Sequence, residues 1–121
     1  MAFCFIAGAA AKQLAVSALT LSWIHSIEKT ELQEDWRISR GGITVTEIRA
    51  KGTGAGIEIP QGARLEGGWF RWKPGLAPQR EIILARSGAT ADWRICVMGK
   101  CRGLSEIAGP GEEPVKISAC K

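Results

Sequence analysis

The sequence predicts an all-β protein, a small antiparallel β-sandwich or barrel of short hairpin-connected strands. Three observations carry that prediction. Apolar and polar residues alternate along Leu21–Glu28 and again along Glu31–Ile38, the period of strands with one buried face. Glycine-rich turns separate short runs along the whole chain, as they do in sandwiches and barrels. After Thr20, no stretch of ten residues carries the helical period.

The first expected strand is Ala2 to Ile6, followed by a turn over Gly8 to Lys12. Leu14 to Thr20 then leads into the central hairpin, where the runs Leu21–Glu28 and Glu31–Ile38 fold back on each other. Ser39-Arg40-Gly41-Gly42 is a loop, and Ile43 to Ala50 is the next strand. Lys51 to Pro60 breaks the alternation with Gly52, Gly54 and Gly56, which marks a bend or bulge. A short hairpin pairs Ala63–Leu65 with Trp69–Trp72. A surface loop over Pro74–Pro78 precedes a short strand at Glu81–Arg86 and a turn at Ser87–Ala91. Asp92–Val97 and Lys100–Leu104 form a hairpin around Met98-Gly99. Ser105 to Glu113 reads as loop, and Val115 to Cys120 is the last strand.

The 121 residues suit one domain, 1–121, large enough to bury roughly two-thirds of its unfolded surface without help from a metal. A net charge of +4 permits an acidic partner without demanding one. No apolar run is long enough to span a bilayer. The apolar start, MAFCFIAGAAAK, lacks a basic n-region. A buried first strand explains it better than the remnant of a signal peptide.

Counting across the central hairpin yields a candidate site. With a tight turn at Lys29-Thr30, Ile27 faces Leu32, His25 faces Glu34, Trp23 faces Trp36 and Leu21 faces Ile38. Lys-Thr suits such a turn poorly, because both central residues need φ > 0, and a longer loop would loosen the register. Across the Ser39–Gly42 loop, Ile38 faces Ile43, Trp36 faces Val45 and Glu34 faces Glu47. His25, Glu34 and Glu47 then converge on one sheet face. One imidazole and two carboxylates can hold a divalent cation or position a proton on a bound solute. They can equally form a self-compensating polar cluster that ties three strands together, because isolated buried charges are costly.

Other motifs point less far. Gly52 to Gly56 lacks the strand before and helix after that a phosphate loop needs, though the free N–H groups of such a bend can bind an anion. Trp69, Arg71, Trp72, Lys73, Trp93 and Arg94 interleave aromatic and basic side chains, a pattern that can stack on single-stranded nucleic acid. Half-buried strands produce the same pattern, and the net charge is mild, so no nucleic-acid partner is expected. Four cysteines allow three full pairings. Cys96 and Cys101 would stand opposite each other in their hairpin, and Cys4 and Cys120 could pair if the first and last strands are neighbours. Their spacing does not match a zinc site. No catalytic signature, metal or cofactor is specified.

His25-Ser26-Ile27-Glu28-Lys29-Thr30, Glu34, Glu47 and Gly54-Ala55-Gly56 resemble the pattern of an uncharacterised bacterial family, the domain of unknown function eighteen-fifty. Trp93-Arg94-Ile95-Cys96 and Gly99-Lys100-Cys101 fit its C-terminal pattern. The similarity runs from Phe3 to about Leu104. The family has no established activity, and its members are often encoded beside tripartite ATP-independent periplasmic (TRAP-type) transporters. The resemblance therefore implies a non-enzymatic accessory in solute uptake, with a transporter component or small solute as partner. It implies a periplasmic location, while the absence of a clear signal peptide leaves a cytoplasmic one open. On this reading His25, Glu34 and Glu47 form the polar site, Ser26 and Thr30 its rim, and Gly54 and Gly56 one wall. The alternative is a metal-dependent or acid–base enzyme on the same His25, Glu34 and Glu47.

Overall fold

A computed structural model describes residues 1–24, 30–52, 59–88 and 91–121. Among the described residues the elements are β1 (Phe3–Ala7), β2 (Ala10–Leu14), β3 (Ala18–Ile24), β4 (Glu31–Ser39), β5 (Gly42–Lys51), β6 (Arg64–Glu66), β7 (Trp69–Trp72), β8 (Glu81–Leu84), β9 (Arg94–Val97), β10 (Lys100–Gly103), α1 (Leu104–Ala108) and β11 (Val115–Ala119). They form two antiparallel sheets, ordered β2-β1-β11-β8 and β10-β9-β3-β4-β5-β7-β6. Among the described residues neither sheet closes into a barrel, and the protein is all-β.

Alternation decides which faces meet. Phe3, Phe5 and Ala7 of β1, with Val115 and Ile117 of β11, point inward from the four-stranded sheet. Leu19 and Leu21 of β3, Trp36 of β4, Ile43 and Val45 of β5, and Ile95 of β9 answer them from the seven-stranded sheet. Burying each Val, Leu, Ile or Phe among them contributes roughly 1.5–3 kcal/mol. Leu104, Ile107 and Ala108 of α1 add to the same core, and α1 packs on β1, β2 and β10. The expected loop after Leu104 therefore begins with one helical turn. Five residues are too few to show a period, so only the tertiary contact reveals it.

A second correction concerns Gly8–Lys12. Instead of a turn over its whole length, Gly8 takes φ +58° in a tight turn, and Ala10–Leu14 becomes the edge strand β2. Its residues are almost all exposed, so no alternation marks it in the sequence.

The central hairpin is paired four residues away from the expected register. Leu19 faces Trp36, Leu21 faces Glu34 and Trp23 faces Leu32. β3 ends at Ile24 and β4 starts at Glu31, so the connection is longer than a Lys29-Thr30 turn. An even shift keeps every side chain on its original face, and burial alone does not oppose it. Beyond the Ser39–Gly42 turn the expected register holds, with Ile38 facing Ile43 and Trp36 facing Val45. A β-bulge then intervenes at Asp35/Trp36, and Asp35 faces Glu47 while Glu34 faces Ile48. One extra residue in β5 rotates the rest of that strand by half a period.

Gly42 locks the passage between the sheets. Ile43 and Gln79 exchange two backbone hydrogen bonds of 2.8 Å, just before the chain enters β8. Gly42 has φ +139°, and a Cβ there would lie 2.0 Å from the Gln79 carbonyl oxygen. Gly42→Ala is therefore expected to cost about 2 kcal/mol through backbone strain and a loosened bridge. Urea titration tests this, and an unchanged midpoint would show that the bridge tolerates displacement.

Both cysteine pairs are disulfides. Cys4–Cys120 joins the ends of the chain with a Cα separation of 5.2 Å. Cys96 and Cys101 stand directly opposite each other on β9 and β10, with a Cα separation of 4.0 Å.

Candidate functional site

The bulge sorts the carboxylates onto two surfaces. Before it, Ile43 and Val45 face the core; after it, Ile48 and Ala50 do, and Glu47 and Arg49 turn to the outer face of the seven-stranded sheet. The residue that meets Glu47 across the strands is Asp35, and Arg71 of β7 stands opposite Arg49.

These outer side chains form one connected layer. The Arg49 guanidinium donates from Nη1 and Nη2 to both oxygens of Asp35, at 2.7 and 2.8 Å. It also donates from Nε to Gln33 Oε1 at 2.9 Å and from Nη1 to Glu47 Oε2 at 3.1 Å. Arg71 donates from Nε and Nη2 to the two oxygens of Glu47, at 2.8 and 3.1 Å. Thr20 Oγ1 donates to Asp35 Oδ1 at 2.7 Å. At the other end, Gln33 Nε2 and Ser22 Oγ both donate to Glu31 Oε2, at 2.8 and 3.1 Å. Bidentate guanidinium–carboxylate pairs are the strong, geometrically selective kind.

The layer sets the ionisation of Asp35 and Glu47. Burial pushes the Asp35 carboxyl up, but hydrogen bonds from Arg49 and Thr20, with the charges of Arg49 and Arg71, outweigh it and hold it below the usual range. Hydrogen bonding from Arg71 holds Glu47 low, against a smaller opposing effect of burial and with help from the charges of Arg71 and Arg49. Both acids are thus anions held in place.

At its β7 end the layer opens into a groove of about 550 Å³. Arg64, Arg71 and Lys73 line it with Glu47, between Pro60, Gln61 and Gly62 on one side and Trp72 and Pro74 on the other. Arg64 and Lys73 are exposed, and Lys73 has no ion-pair partner among the described residues.

Glu34 belongs to the opposite, inward face. It is half-buried between Leu21 and Ile48 on the neighbouring strands, and Trp36 Nε1 donates to its Oε1 at 3.0 Å. Burial raises its pKa above 4.5, and the Trp36 hydrogen bond only partly offsets this. A carboxyl with a raised folded-state pKa supports the fold fully below pH 4.5, and that support is lost as pH rises through the folded value. Glu34→Gln is accordingly expected to raise the urea midpoint at pH 7 and to leave it unchanged below pH 4.5. A lower midpoint at pH 7 would mean that the ionised carboxylate is needed where it stands.

Among the expected site residues, His25, Ser26, Gly54 and Gly56 lie outside the described residues. Thr30 is half-buried just before β4. Glu34 and Glu47 are separated by the thickness of the sheet, because the bulge breaks the counting that aligned them. The residue that stands across from Glu34 on β3 is Leu21. Among the described residues, no group of three His, Cys, Asp or Glu side chains could hold a metal. Sequence reasoning missed Asp35, Arg49 and Arg64 as site residues. Arg71 and Lys73 stand out in the sequence for their tryptophan neighbours, whereas in the structure they belong to the charged layer and groove. Trp93 instead packs against Trp23, ring centroids 4.9 Å apart, and donates to the Ala85 carbonyl at 2.8 Å.

Fold and site together define a two-sheet antiparallel β protein with an ordered arginine–carboxylate layer on one outer face. Residues 19–104 match the family described as Domain of unknown function (DUF1850), and the chain belongs to that family. The matched segment contains the charged layer, the groove and the Cys96–Cys101 disulfide; β1, β2 and β11 lie outside it. No curated protein and no solved structure matches the chain.

Proposed function

We propose that this chain is a non-enzymatic binding module, and that it serves as an accessory to a TRAP-type solute transporter, acting outside the cytoplasm. The observation that supports it most is the groove beside the charged layer. Its guanidinium floor is fixed in advance by Glu47, so binding there loses little to side-chain ordering. Glu47 remains a site residue on this reading, as the group that aims Arg71. The two disulfides fit an oxidising compartment.

The test is uptake in cells that express the transporter. Deleting the gene for this protein is expected to lower solute uptake, and re-expression of the wild-type chain to restore it. An Arg64→Ser/Lys73→Ser chain should be as stable and as abundant as wild type but restore uptake poorly. Uptake that is indifferent to deletion would remove the accessory role. A metal or acid–base centre built from His25, Glu34 and Glu47 finds no support, since the two acids face opposite sides of the sheet.

A further inference from the structure

We propose that the groove binds a small organic oxyanion, a carboxylate or phosphate ester, between the guanidinium groups of Arg64 and Arg71 and the ammonium of Lys73. This rests on the binding-module reading and specifies its ligand class. Among the described residues, three cations and one carboxylate line the groove; that carboxylate, Glu47, is already shared by Arg71 and Arg49, and counting Glu66 beside Arg64 and Arg71 still leaves the cations in excess. The net field in the groove is therefore positive.

The donors are also under-used. Arg71 spends Nε and one N–H of Nη2 on Glu47. Among the described residues, its Nη1 meets only the Glu66 carboxylate, at 3.8 Å, and Arg64 Nη1 meets the same carboxylate at 3.4 Å. Glu66 thus sits between two guanidinium groups as a loosely held counter-ion, roughly half-exposed. A ligand oxyanion that comes within hydrogen-bonding distance of both would outcompete it, because planar guanidinium pairs recognise such groups bidentately. Gln61 offers a further donor at the rim, and Trp72 an apolar wall for a short carbon skeleton. The groove volume is in the range that encloses a small solute.

The experiment titrates the full-length, oxidised protein with succinate and, separately, with inorganic phosphate, by calorimetry at low ionic strength. Saturable binding of at least one is expected, weakening as salt is added. Arg64→Ser and Lys73→Ser should each lower the affinity about tenfold without changing thermal stability. Whichever probe binds tells a carboxylate site from a phosphate site. Absence of saturable binding to either, or affinity unchanged in the double variant, would overturn the proposal. Retention on anionic vesicles with no binding of either solute would overturn it too. The two readings fail separately. Uptake that needs the protein, with no anion bound, removes only the ligand assignment. Anion binding in a protein that uptake does not need removes only the accessory role.

Discussion

Replacing Cys4 and Cys120 with serine is expected to cost about 4–5 kcal/mol, whereas replacing Cys96 and Cys101 should cost about 2 kcal/mol. The difference follows from the length of chain each bond closes. The first spans a sequence separation of 116 and the second a separation of 5, and the loop entropy removed from the unfolded chain grows with the logarithm of that length. The larger loss is a sizeable share of the stability of an ordinary domain. Position reinforces it. Cys120 N–H donates to the Ala2 carbonyl at 2.9 Å, beside the β1–β11 pairing that carries Phe3, Phe5 and Ile117 into the core. Urea titrations of the two double variants, under oxidising conditions, measure both losses. Equal losses would argue that native packing, not unfolded-chain entropy, dominates these bonds.

Arg49→Ala should cost about 3 kcal/mol at pH 7, near the low end for breaking a buried ion pair because Asp35 and Glu47 keep some contact with water. Asp35 and Glu47 stand directly opposite each other on paired strands, and like charges in that position repel. Arg49 touches both and, together with Arg71 on Glu47, makes their juxtaposition tolerable. Arg49→Lys is expected to recover only part of the loss, since an ammonium cannot reproduce the bidentate fork. Acid supplies an independent check. Both carboxyls have folded-state pKa values below their ordinary 3.8 and 4.5. Their contribution is present above those ordinary values and is lost as pH falls through the lowered ones. The penalty for Arg49→Ala should therefore shrink towards pH 2. A penalty that stays constant across that range would place the effect of Arg49 in packing rather than in charge.

Much of the architecture was legible in local pattern. The alternation of Phe3, Phe5 and Ala7, and of Leu19, Leu21 and Trp23, assigns inward faces correctly. The hairpin around Met98-Gly99 and the short connection at Ser39–Gly42 each set their register by turn geometry. Cys96 faces Cys101 and Ile38 faces Ile43 because a short turn leaves the strands no other alignment. Where the connection is long, as between Ile24 and Glu31, parity survives and register does not. The site suffered most from this. Glu34 and Glu47 appear aligned on paper, and a single extra residue in β5 sends them to opposite faces.

By itself, then, the amino-acid order determined the β class, the inward residues of β3 and β4 and the short-turn registers, because period and turn chemistry act over a few neighbouring residues. Tertiary structure alone decided the bulge, the one-turn helix, the edge strand β2 and the joining of Arg49 to Asp35 and of Arg71 to Glu47. Those depend on how separate strands share space and charge, and a guanidinium finds its carboxylate only after the strands that carry them are already side by side.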